Sequence, residues 1–103
     1  MEKTTEGEEN YRLRLPFAKE GEIFGLALQR MGADRIKVLC ADGKERNARI
    51  PGKMKKRVWI REGDVLIVRL WDFQPANADV VWRYMPPQTE RLKRMGLLKA
   101  LPV

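Results

Sequence analysis

The sequence predicts an all-β fold, a single five-stranded barrel followed by a short helix. From Gly21 onward, strand-like runs alternate with turn signals at spacings of about 10 to 15 residues, the rhythm of a barrel or sandwich. Arg35 to Ala41 sets Ile36, Val38 and Cys40 against Arg35 and Lys37, which places one row in a core and the cations on the opposite face. The 103 residues, 44% apolar and 34% charged, suffice for one core and not for two.

The elements follow in order. Residues 1–12 hold few apolar side chains and set Glu2, Glu6, Glu8 and Glu9 against Lys3, so they are expected to form a mobile tail. The barrel is expected over residues 13–86, and a C-terminal helix and tail packed on it over residues 87–103. Ile23 to Met31 is the first strand, ended by Gly32-Ala33-Asp34, and Arg35 to Ala41 is the second. Asp42-Gly43 reads as a two-residue type I′ hairpin turn, with Lys44 to Ile50 as the antiparallel partner. Pro51-Gly52 breaks that strand, because proline lacks the ladder donor. Lys53 to Arg57 shows no alternation and is expected as a loop or short helical turn. Gly63-Asp64 opens the fourth strand, Val65 to Leu70, apolar apart from Arg69.

After a loop over Gln74 to Asn77, Asp79 to Tyr84 forms the fifth strand, with Val80, Trp82 and Tyr84 on one face and Val81 and Arg83 on the other. Pro86-Pro87 ends it. Thr89 is expected to cap a helix and Glu90 to favour its positive end. Leu92, Met95 and Leu98 recur at helical spacing and dock it, while Gly96 weakens it by about 1 kcal/mol relative to alanine. Five strands with a loop or short helix between the third and fourth make an OB-type barrel.

Charge is the main functional signal. Lys44 to Arg61 contains eight cations and one anion, a balance of +7, which equals the net charge of the whole chain. Phosphate is the commonest partner for such a cluster, since neutralising a polyanion releases condensed counterions. Catalysis is excluded on several grounds. There is no histidine to act as a base or metal ligand, and one cysteine cannot build a zinc site. The acidic pairs (Glu8-Glu9, Glu20 with Glu22, Glu62 with Asp64) lie in the tail or beside turn glycines. Gly21 to Gly25 holds no phosphate-loop pattern. No cofactor is expected. Cys40, among Val38, Leu39 and Ala41, reads as a small buried residue. No apolar run approaches the roughly 20 residues that span a bilayer, and Met1 to Asn10 is not a signal peptide, so the cytoplasm and no membrane contact are expected.

The run from Ile50 to Ile60, Ile-Pro-Gly-Lys-Met-Lys-Lys-Arg-Val-Trp-Ile, followed by Glu62-Gly63-Asp64, closely resembles the translation initiation factor 1A family in its archaeal form. The match extends through Gly32-Ala33-Asp34-Arg35, Asp42-Gly43, Trp71-Asp72, Ala78-Asp79-Val80-Val81 and Glu90-Arg91-Leu92-Lys93. The bacterial counterpart shares a similar Ile-x-Gly-Lys-Met-x-Lys run, and Val58-Trp59-Ile60 with the C-terminal helix separates the two. The resemblance implies an S1-like OB-fold factor on the small ribosomal subunit near the decoding (A) site, where it takes the place of an aminoacyl-tRNA. It further implies support of initiator tRNA binding, ribosome dissociation, and partners comprising rRNA, initiator tRNA, mRNA and other initiation factors, including the subunit-joining GTPase; a monomer is expected because the sequence offers no long apolar surface helix.

The RNA-binding residues implied are Arg35, Arg46, Lys53, Lys55, Lys56, Arg57 and Trp59, and Arg49 joins them on charge alone. Two departures from the eukaryotic pattern bear on tail-dependent functions: the N-terminal tail is acidic, and no long acidic tail follows Val103. Leu97 to Leu101 offers a smaller contact for the GTPase. Trp59 reads either as a core residue or as a stacking surface for a base, worth about 1 to 3 kcal/mol. Trp71 and Trp82 read as packing residues. Two alternatives stand beside the ribosomal reading: a general single-stranded nucleic-acid-binding OB module, and a barrel whose basic loop meets an acidic protein. The second and third strands carry cations without interleaved Phe or Tyr, which favours structured RNA held through its phosphates.

Overall fold

The computed structural model describes residues 13–57 and 60–103, without the side chains of residues 55–57. The expected mobile tail over residues 1–12 lies outside the described residues. Five strands, β1 (Glu22–Arg30), β2 (Arg35–Cys40), β3 (Glu45–Arg49), β4 (Val65–Leu70) and β5 (Asn77–Arg83), close into a barrel in the order β1-β2-β3-β5-β4. Neighbours run antiparallel except β3 and β5, which are parallel. Helix α1 (Gly52–Arg57) lies between β3 and β4, and α2 (Pro86–Arg94) follows β5. This is the five-stranded OB-type barrel with a short C-terminal helix that the sequence predicts.

What covers each strand face explains its sequence. In β2, Ile36, Val38 and Cys40 are fully buried inside the barrel, and Arg35 points out. Burial pushes the Cys40 thiol above its ordinary range. In β4, Leu66 and Val68 join the barrel core, while Val65 and Ile67 join a second cluster with Tyr84, Leu92, Leu98 and Leu101. The strand is covered on both faces, so its apolar run is continuous rather than alternating. Inside the barrel, a Cβ on Gly25 would clash with Val38 Cγ1, so any larger residue there would have to displace that side chain.

Several local expectations are corrected. The hairpin after β2 is a three-residue loop. The Gly43 amide bonds to Cys40 O, the Cys40 amide to Lys44 O, and only Gly43 has positive φ, at 87°. That is a type I turn closed by a left-handed residue, not a type I′ turn. Pro86 and Pro87 open α2 rather than merely ending β5, with Met85 at the N-cap and Thr89 inside the helix. Gly96 lies beyond the helix at φ 76°, where its amide bonds to Lys93 O and that of Leu97 to Leu92 O. It terminates α2 instead of weakening it. Met95 is exposed, and Leu92, Leu98 and Leu101 provide the docking contact.

In β5, Ile67 pairs with Trp82 and Val68 with Val80, so Val81 is the extra residue of a bulge. The bulge reverses the alternation. Val80 stays in the barrel, Tyr84 is buried beneath α2, and Trp82 is exposed.

Two arginine–carboxylate clusters hold the ends together. Arg46 is buried on β3, with Nε donating to Pro75 O at 2.6 Å and the two terminal nitrogens to the Asp42 carboxylate at 3.0 and 2.9 Å. These bonds hold the Asp42 carboxyl below its ordinary range. At the start of β1, the buried Glu22 carboxylate accepts from both terminal nitrogens of Arg14 (3.1 and 3.2 Å), from the Phe17 amide (3.0 Å) and from Arg69 (3.3 Å). The Tyr84 hydroxyl, pushed up to about 12 by burial, donates to the Arg14 carbonyl. The segment before β1 is thus clipped to the barrel.

Arg46→Met removes three hydrogen bonds to one buried guanidinium and is expected to cost about 2 kcal/mol, lowering the thermal midpoint by roughly 10 °C. An unchanged midpoint in a calorimetric scan would refute the clamp. Arg14 above all holds the Glu22 carboxyl below its ordinary range, so the unfolded chain binds the more protons in acid. The resulting stability is present above pH of about 4.3 and is lost as pH falls through the lowered value. In Glu22→Gln, the acid limb of a stability-versus-pH curve should be flatter than in the wild type; parallel limbs would contradict this.

Candidate nucleic-acid interface

Strand register places one ionisable residue per strand in a row around the outside of the barrel. Glu22 on β1 faces Arg69 on β4, Arg69 faces Asp79 on β5, Asp79 faces Arg49 on β3, and Arg49 faces Arg35 on β2. The carboxylates are engaged by arginines, Arg69 to Glu22 at 3.3 Å and Arg49 Nε to Asp79 at 3.1 Å. The row ends on Arg35, which is exposed and has no ion-pair partner among the described residues. Like charges directly opposite each other across two strands cost about 0.2 to 1 kcal/mol. An anion bound between Arg35 and Arg49 would relieve that repulsion.

A cavity of about 200 Å³ opens between these two arginines, lined also by Asn47, Trp71, Gln74 and Asn77. The Arg49 guanidinium lies 5.9 Å from the centre of the Trp71 ring, within cation–π range. A second cleft of about 530 Å³ continues past Trp71 to Phe73, which is 95% exposed in the β4–β5 connection. Cations, amides and aromatic surfaces therefore meet on one face. Cations can hold phosphate, the amides can bond base edges or sugar, and the rings can stack on bases.

The expected site residues separate into groups. Arg35 and Arg49 share this outer face. Arg46 does not, because it has the parity of the buried Ala48 and its guanidinium is bound to Asp42 and Pro75. Lys53 is exposed on α1, and the backbone of Lys55, Lys56 and Arg57 continues that helix, although their side chains lie outside the described residues. Trp59 lies outside them altogether. The basic segment is anchored on either side by buried Ile50 and Ile60, and by Met54 packed against the barrel core. Among the described residues, no group of three or more acidic or cysteine side chains could hold a metal ion.

Sequence reasoning missed Asn47, Trp71, Phe73, Gln74 and Asn77. Phe73 carried a usable signal. An aromatic placed between Asp72 and Gln74-Pro75 belongs to no alternating run and so has no buried face waiting for it. Trp82, read as a packing residue, is instead exposed with Arg14 at 5.8 Å from its ring centre, whereas Trp71 is half-buried beneath Arg49.

Residues 11–102 match the family described as translation initiation factor 1A / IF-1. Translation initiation factor 1A of Archaeoglobus fulgidus is 60% identical over 88 residues, 85% of this chain and 91% of the relative. That of Methanopyrus kandleri is 57% identical over 98 residues, 95% of this chain and 86% of the relative. Among solved structures, the solution structure of translation initiation factor 1 from the Wolbachia endosymbiont of Brugia malayi superposes with a TM-score of 0.50 at 19% identity. It covers 69% of this chain and 84% of that one, and shows the shared barrel.

Arg35→Gln removes the like-charge contact with Arg49, so it should leave thermal stability unchanged or raise it by a few tenths of a kcal/mol. The same substitution should weaken RNA binding, read as a lower affinity at fixed salt in a filter-binding assay. A variant that loses stability and keeps its RNA affinity would show that Arg35 serves the fold.

Proposed function

The chain belongs to the translation initiation factor 1A / IF-1 family, and we propose that it acts in initiation by binding rRNA of the small ribosomal subunit near the decoding (A) site. Supporting this are Arg35, without an acidic partner among the described residues, Arg49 opposite it, and the exposed Lys53 on α1, the helix that follows β3 in the chain. In this role the protein occupies the position of an aminoacyl-tRNA, stabilises initiator tRNA on the mRNA, and promotes dissociation of ribosomes into subunits. Its partners are rRNA, initiator tRNA, mRNA and the other initiation factors, with the subunit-joining GTPase among them. It works in the cytoplasm as a monomer and catalyses no reaction. No helix among the described residues is long and apolar enough to cross a membrane.

The binding set consists of Arg35, Arg49, Lys53, Lys55, Lys56 and Arg57, with Trp59 as a stacking surface. Phosphate contacts supply affinity and orientation rather than sequence reading. Arg46 serves this set from within by fixing β3. Half-buried Trp71 and exposed Phe73 add stacking, which also suits a general single-strand binder, so the two readings divide on substrate shape. Folded rRNA presents shaped arrays of phosphate to such a cationic face, whereas a stacking strip alone holds any unstructured strand.

The test is co-sedimentation with purified small subunits at fixed salt, challenged with excess single-stranded RNA. The complex should persist, and Lys55→Ala with Lys56→Ala should weaken it and reduce the salt slope by about 0.7 to 0.9 per lost phosphate contact. Displacement by stoichiometric oligonucleotide would overturn the ribosomal reading in favour of the general single-strand binder.

A further inference from the structure

Around the barrel from Arg35 and Arg49, a cleft of about 320 Å³ separates α1 from the outer face of β4 and β5. Its charged rim is Arg14, Lys53, Arg69 and Asp79, and its apolar wall includes Pro51, Met54 and Val81. We propose that Arg14, Lys53 and Arg69 form a second phosphate site, which takes a backbone phosphate of the bound rRNA beyond the α1 contact. This rests on the ribosomal reading given above.

Three observations support it. The first is preorganisation. Glu22 is almost wholly buried and binds Arg14 and Arg69 at 3.1 to 3.3 Å, so one carboxylate holds two guanidiniums at the cleft while using only part of their donor capacity. Arg69 engages Glu22 through one terminal nitrogen, and its side chain is 48% exposed. The second is charge. Lys53 has no ion-pair partner among the described residues, and the carboxylate that lines the cleft, Asp79, is engaged by Arg49. Counting that arginine, four cations face two carboxylates, an excess of two positive charges. The third is continuity. Lys53 lies on α1 and also lines this cleft, so an RNA backbone following the basic helix would run directly into it. An apolar wall beside convergent guanidiniums suits a phosphodiester with its sugar, because arginine binds phosphate oxygens in a fork while the ribose packs against Met54 and Val81.

Arg69 is the residue to test, since Glu22 retains Arg14 and the Phe17 amide when Arg69 is replaced. Binding to purified small subunits should be measured across a salt series for the wild type, Arg69→Gln, Arg69→Lys and Lys55→Ala with Lys56→Ala, alongside thermal unfolding of each. Arg69→Gln is expected to reduce the salt slope by about 0.7 to 0.9 and the affinity several-fold near physiological salt, while Arg69→Lys retains the slope. A structural role alone would move the unfolding midpoint and leave the slope intact. If Arg69→Gln binds with the wild-type slope while the double lysine variant does not, the cleft is no phosphate site and the ribosomal reading stands. If the wild type itself fails to bind small subunits, both fall.

Discussion

Closure of the barrel at β3 and β5 is the constraint on which the remaining architecture depends. That seam consists of three residue pairs in parallel register, Asn47 with Asn77, Ala48 with Ala78 and Arg49 with Asp79, the shortest ladder in the sheet. Parallel pairing is also the weaker kind per residue. Arg46 reinforces it by tying the turn before β3, through Asp42, to the loop before β5, through the Pro75 carbonyl. The Asn47 amide adds a bond to Ala76 O. The same register sets the binding face, since Asn47, Arg49 and Asn77 line the cavity and Asp79 holds Arg49 beside it. Stability of the seam and geometry of the site are one problem with one solution.

The cations of the basic segment accordingly do different work. Arg46 uses its donors internally and is a framework residue despite its charge. Arg49 is tied to Asp79 by a single bond and keeps its other nitrogens available. Arg35, opposite it, has no acidic partner among the described residues. A gradient from fully satisfied to unsatisfied charge across two neighbouring strands is poor design for stability and good design for holding a polyanion.

Much of this was legible in the sequence, and the failures have physical causes. The five strands could be read because β2 alternates and β4 is continuously apolar, and each pattern reflects what covers the strand. β3 carries Glu45, Arg46, Asn47, Ala48 and Arg49, with one small apolar residue to set the phase. The family resemblance sets Arg46 among the RNA-binding residues, whereas its parity with Ala48 places it inside. Alternation sets Trp82 on the face of Val80 and Tyr84, but a bulge at Val81 reverses it, and nothing in a run of Val-Val-Trp marks the extra residue. By sequence, Gly96 reads as a flaw in a helix that in fact ends before it. Alternation cannot place Trp71 and Phe73 at the site, because they come from the β4–β5 connection, which tertiary closure brings beside β3.

The most direct measurement is a cryo-electron microscopy structure of the protein on the small ribosomal subunit. In it, rRNA phosphate oxygens should lie within hydrogen-bonding distance of Arg35 and Arg49, with α1 against the same RNA and Arg46 still bound to Asp42 and Pro75. A complex in which the outer face of β2 and β3 is open to solvent, with the protein held through α2 or the opposite side of the barrel, would contradict it.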